Sequence, residues 1–191
     1  MKDKALMRRA GWLLIVGALV WAVALTIERV SDYNDSSSGW GWRADQLLFA
    51  TAMTLQAAGI ALLAHMHVAG SRRFARNVLW VAATGYGLSA VSQFAAQALS
   101  VDLIATVSIG ALIAMTCMII AGVIAVRRGR FSRIRRFALL GVGLTQLATT
   151  VVLGADIGGI AEAVAEPTWQ AAWLLLGVAS LTQPTTEAER S

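Results

Sequence analysis

Three carboxylates crowd one stretch of this chain: Asp156, Glu162 and Glu166. Glu162 and Glu166 are four residues apart, so a helix there presents both on one face, where paired acids can bind a cation or pass protons to a substrate. These three are the catalytic candidates, although two carboxylates alone do not specify a function. A second group is uncharged. Tyr86, Ser89, Gln93 and Gln97 recur at i, i+3, i+7 and i+11, which keeps them near one helical face. Thr145, Thr149 and Asp156 share another face, with Gln146 and Thr150 to one side, and Thr51, Thr54, Gln56, Thr168, Trp169, Gln170 and Trp173 complete the polar minority. From this set, Tyr86, Ser89, Gln93, Gln97, Thr149, Trp169 and Trp173 are the expected ligand-binding residues of a shared cavity. The competing expectation is that they hydrogen-bond helix to helix, each pair contributing on the order of 1 kcal/mol.

Other reactive side chains point to packing. Cys117 is the single cysteine, so no disulfide forms within the chain, and beside Met115 and Met118 it reads as a small core residue. His65 and His67 are two apart, which on a helix turns them roughly 200° from each other and prevents a one-face metal chelate; both are expected to cap a helix end. The sequence holds no P-loop, dinucleotide glycine fingerprint, His-Glu-x-x-His pair or Gly-x-Ser-x-Gly elbow, so neither a metal nor a cofactor is expected. Gly85, Gly87, Gly141 and Gly143, with the small pairs Gly110/Ala114 and Ala121/Ala125, read as places where helices approach closely.

The elements that must position these residues follow from hydropathy. Of 191 residues 57% are hydrophobic and 14% charged, far from the average of a water-soluble domain. Apolar stretches cover about 11–27, 46–68, 77–99, 103–126, 137–155 and 167–183, lengths that suit a hydrocarbon core of roughly 30 Å. None alternates with the period of two that a barrel strand requires. The expected fold is therefore all-α: a single transmembrane domain over 1–191, a bundle of six membrane-crossing helices. Pro167 is placed at the start of the sixth segment and Pro184 just beyond its end, leaving the helix interiors free of proline.

Basic residues set the orientation. Lys2, Lys4, Arg8, Arg9, Arg72, Arg73, Arg76, Arg127, Arg128, Arg130, Arg133, Arg135, Arg136 and Arg190 all fall on one set of alternate connections, 14 of the 16 basic residues. Only Arg29 and Arg43 fall on the other. The positive-inside rule makes the first side cytoplasmic, with both termini and a short tail, 184–191, on it. The basic N-terminus, its apolar run and Ala22-Val23-Ala24 also fit a cleavable signal, but the run continues through Ile27 and is long enough to span. Despite the net charge of +5, nucleic acid is not an expected partner. The arginines sit in short inter-helix turns, where Arg127, Arg128, Arg130, Arg133, Arg135 and Arg136 meet anionic lipid headgroups. The outer connection 31–45 reads as a polar loop with Trp40 and Trp42 as interface anchors, and 157–166 as a short amphipathic or re-entrant turn.

Ser38-Gly39-Trp40 leading into Gln46-Leu47-Leu48-Phe49, the arginine turn before segment five, and Gly159-Ile160-Ala161-Glu162 followed by Trp173 give the chain a layout that resembles a bacterial six-helix membrane family known only as a domain of unknown function. The chain departs from that family's Ser-x-Leu-Gly pattern in the first outer loop, and its connection around Ser100–Asp102 is short. The resemblance implies a fold in the bacterial cytoplasmic membrane and no chemistry. Three roles are compatible with the residues. One is binding or transport of a small, neutral or cationic, partly apolar molecule through a cavity in the outer half of the bundle, between segments two, three, five and six. Another is an accessory subunit docked on a membrane-protein partner, or a homo-oligomer. The third is an enzyme acting on a lipid or isoprenoid through Asp156, Glu162 or Glu166.

Overall fold

A computed structural model of the chain describes residues 2–31, 40–128, 131, 133–155 and 160–182. Asp156, Arg130 and the tail 184–191 lie outside the described residues, as do the side chains of Glu162 and Arg133. Six helices carry the fold: α1 (Lys2–Ser31), α2 (Trp40–His65), α3 (Arg73–Leu99), α4 (Ile104–Arg128), α5 (Ala138–Gly154) and α6 (Ile160–Leu181), with a 3-10 turn over Arg133–Phe137 leading into α5. There is no strand among the described residues. Four stretches, Asp3–Val30, Trp40–His65, Ile104–Arg128 and Arg135–Gly154, are long and apolar enough to cross a membrane by length and composition. The other two helices, α3 and α6, carry most of the polar side chains that turn inward.

Each helix packs on its neighbours in sequence, and α1 packs on α6, so the six form a closed ring. Apolar and aromatic side chains fill its middle: Leu14, Met53, Ile60, Leu79, Tyr86, Met118, Leu139 and Trp173 are fully buried. Aromatic rings tie non-neighbouring turns together, since Trp21 lies 4.5 Å from Phe49 and 4.6 Å from Trp169 between centroids, and Tyr86 lies 5.4 Å from Trp173. The outer surface is equally apolar. Val91 and Leu175 are 66% and 65% exposed, and Leu19, Val23, Ile109, Leu112 and Val151 face out with them.

Close helix contacts depend on small residues. A side chain on Gly85 would begin 2.6 Å from the carbonyl oxygen of Gly110 on α4, and one on Gly110 would begin 2.7 Å from that of Gly85. The α3–α4 crossing is thus a backbone-to-backbone contact, completed by fully buried Ala114. The glycine expectation holds for half of each pair: Gly85 and Gly143 touch a neighbouring helix, whereas Gly87 and Gly141 face open space.

Three local expectations change. Residues 40–45 are the first turns of α2 instead of loop, so Trp42, Arg43, Asp45 and Gln46 are held on a helix. Likewise α6 starts at Ile160, which makes 160–166 continuous with the rest of α6 and puts Pro167 inside the helix. Proline lacks the N–H that closes a helical turn. Hydroxyls serve carbonyls in that turn, with Thr168 Oγ1 donating to Val164 O at 2.7 Å and Thr149 Oγ1, from α5, donating to Ala165 O at 3.0 Å. Third, α2 ends at His65, and His67 sits beyond it at φ 56°. The N–H of His67 returns to Ala64 O at 3.1 Å and that of Val68 to Leu63 O at 3.1 Å, the paired bonds of a left-handed helix terminus. His67 therefore shapes the turn instead of sharing a helix with His65.

Candidate functional site: a polar cavity at one end of the ring

The residues expected to share one cavity separate into two groups. Tyr86, Ser89, Thr149, Trp169 and Trp173 are all buried inside the ring. The Tyr86 hydroxyl donates to Gln146 Oε1 on α5, and Gln146 Nε2 reaches Ala111 O on α4 at 3.4 Å. Ser89 Oγ donates to Val107 O on α4 at 2.8 Å, as Thr149 does to α6. These polar side chains knit helix to helix. Thr51, Thr54 and Thr168 turn back on their own helices, donating to the carbonyls of Leu47, Ala50 and Val164.

Gln93 and Gln97 belong to a different place. They line a cavity of about 690 Å³ at the end of the ring where α2 begins, α3 finishes and α4 begins. Its walls are Trp42, Arg43 and Gln46 from α2, Ala96 from α3, and Ser100 to Ile104 from the connection into α4. Gln93 Nε2 donates to Gln46 Oε1, and Gln46 Nε2 donates to Asp45 Oδ2 at 2.9 Å, a line of amides that leads from the cavity wall to a buried carboxylate. Asp102 Oδ1 accepts the N–H of Ile104 at 2.9 Å, fixing the first turn of α4, while Ser100 ends α3 with φ 52°. The lining thus offers amide donors and acceptors, one guanidinium and one carboxylate, beside the apolar surface of Trp42, Val101, Leu103 and Ile104. A volume of this size and a few polar groups on an apolar wall suit a small organic molecule.

Arg43 and Gln46 entered the site because 40–45 is helical, which the sequence reading missed. The signal was present in the spacing: Trp42 and Gln46 are i, i+4, and Arg43 precedes Gln46 by three, so a helix through them presents all three towards one side.

Of the three acids, Glu166 alone has its side chain among the described residues. Glu166 pairs with Arg29 across α1 and α6 at 3.9 Å, joining the two helices that close the ring. Among the described residues no group of three or more His, Cys, Asp or Glu side chains is arranged to hold a metal.

Deeper in the ring, Gln56 is fully buried beside Gly17 with neither amide atom hydrogen-bonded among the described residues. Gln56→Leu keeps the volume and removes a desolvated amide. It is expected to stabilise the protein by about 2 kcal/mol, seen as a higher midpoint of thermal unfolding. A lower midpoint would mean that the amide has work to do.

Comparisons with protein-family models, with curated proteins and with solved structures find no match to this chain.

Proposed function

We propose that this chain is a six-span protein of the bacterial cytoplasmic membrane, with both termini inside, that takes up a small dipolar molecule from the outer face. Four helices have the length and apolarity to cross. The spans of α3 and α6 follow from continuity. Helix α2 ends at a turn that carries Arg72 and leads into Arg73 and Arg76 at the start of α3, and α4 ends at Arg127 and Arg128. Both basic ends can lie on one side only if α3 crosses back between them, and the connection from Ser100 to Leu103 is too short to do so. Helix α6 lies between α5 and α1 in the same ring. The exposed belt of Leu, Val and Ile then faces lipid, its natural solvent.

The observation that carries the functional reading is the 690 Å³ cavity at the end opposite the arginine turns. Arg43 and Asp102 supply opposite charges, and Gln46, Gln93 and Gln97 supply amides, a combination suited to an uncharged or zwitterionic ligand with a short apolar part. Binding and release on the outer side is the function proposed; passage through the ring would require the packed axis of Tyr86, Trp173 and Met53 to part.

The test is thermal unfolding of the purified protein in detergent against a panel of amino acids, betaines and small polyols. At about one hundred times its Kd, a ligand of the folded state adds about 2.7 kcal/mol. At least one class in the panel should raise the midpoint, and a uniformly flat panel would count against the cavity as a binding site.

A further inference from the structure

On the membrane-facing side of the ring, at the arginine-rich end, α5 and α6 leave a second opening that the outer cavity does not explain. It is a groove of about 340 Å³ lined by Phe137 and Gly141 on one wall and Ala172 and Leu175 on the other, ending at Arg135 and Thr182. The walls are apolar throughout. From Ala172 to Thr182 the helix rises about 15 Å, half of a hydrocarbon core of roughly 30 Å. The groove therefore runs the depth of a single leaflet.

Its floor is open because Gly141 presents no side chain, and a Cβ there would find no atom within 4 Å. Its mouth is cationic. Arg135 is held at the end of the groove by donating from Nη1 to Thr182 O at 2.7 Å, and the guanidinium keeps further N–H donors for another acceptor. Arg136 lies over the ring of Phe137, 5.2 Å from its centroid, so a second guanidinium flanks the same mouth. The 3-10 turn Arg133–Phe137 sets both arginines just outside the first turn of α5.

We infer that this groove is a binding site for an anionic phospholipid of the cytoplasmic leaflet, one acyl chain lying against Gly141 and Leu175 and the phosphate meeting Arg135 and Arg136. Charge complementarity selects the occupant: an apolar channel one leaflet deep that ends at the Arg135 guanidinium, with that of Arg136 stacked on the Phe137 wall, matches an acyl chain attached to a phosphate. The inference rests on the membrane reading above, not on the outer cavity.

Native mass spectrometry of the detergent-purified protein, titrated with phosphatidylglycerol or phosphatidylcholine of identical chains, tests it. Phosphatidylglycerol should be retained about fivefold more strongly than phosphatidylcholine, the preference expected for one added basic contact. Arg135→Gln should remove that preference. Gly141→Leu should fill the channel and lower retention of both lipids, whereas Gly87→Leu, at another glycine with open space around it, should bind as the parent does. Glycerol 3-phosphate, which has the headgroup phosphate without the chains, should not compete.

Equal retention of the two lipids, unchanged binding by Gly141→Leu, or displacement by glycerol 3-phosphate would each overturn the site. A chain that stays monomeric in buffer without detergent would instead overturn the membrane reading, so the two failures are distinguishable.

Discussion

Gly122→Ala is expected to cost about 3 kcal/mol of stability, a large share of what holds a domain folded. A Cβ at Gly122 would start 2.4 Å from Leu140 Cα and 2.6 Å from Leu140 N, so it meets the backbone of α5 and not a side chain that can rotate away. Helices α4 and α5 must separate to admit it. Their separation propagates, because α5 also holds Gln146 against Tyr86 and Thr149 against α6. Gly141→Ala, one residue from Leu140, has no such neighbour and removes a flexible residue from a helix. It should stabilise by about 0.5 to 1 kcal/mol. Thermal unfolding of the two variants side by side checks the pair. Equal midpoints would show that the α4–α5 contact is looser than 2.4 Å implies.

The second large effect concerns the outer cavity. For a ligand found in the panel, Arg43→Ala should weaken binding by about thirtyfold, the equivalent of about 2 kcal/mol for a hydrogen bond to a charged group. Gln93→Leu should act similarly by a different route, since it removes the amide that holds Gln46 within the cavity wall and so frees Gln46 to turn. Tyr86→Phe, in contrast, should lower stability and leave affinity nearly unchanged, because Tyr86 bonds to Gln146 inside the ring and does not line the cavity. Isothermal titration of the three variants separates these outcomes. Affinity losses confined to Tyr86→Phe would move the site from the end of the ring to its interior.

Much of the architecture was legible because long apolar stretches separated by basic turns follow a simple grammar. The six apolar stretches and the arginine turns between them locate all six helices. What escaped were helix turns that continue beyond the apolar stretch, at Trp40–Asp45 and Ile160–Glu166, where polar composition resembles a loop. Hydropathy reports the surroundings of a segment, and a helix can pass from apolar to polar surroundings without changing its backbone. Pro167 misled in the same direction, since proline suits a helix start, yet here it lies inside α6.

The site was only partly legible for a related reason. Spacing placed Tyr86, Ser89, Gln93 and Gln97 near one face, and the face does turn inward, with Tyr86 and Ser89 fully buried. Spacing cannot say what lies opposite. Ser89 meets the Val107 carbonyl because Gly85 and Gly110 bring α3 against α4, whereas two turns further on the connection into α4 opens the cavity beside Gln97. Partners from another helix decide whether a polar residue joins or binds.

The proposed function requires the cavity to open to the outside of a six-span bundle. In a Cys117→Ser background, single cysteines at Gln97 and at Arg128 are probed in intact cells with a membrane-impermeant maleimide. Gln97→Cys should label at once and Arg128→Cys only after lysis; labelling of Arg128→Cys in intact cells, with Gln97→Cys protected, would contradict it.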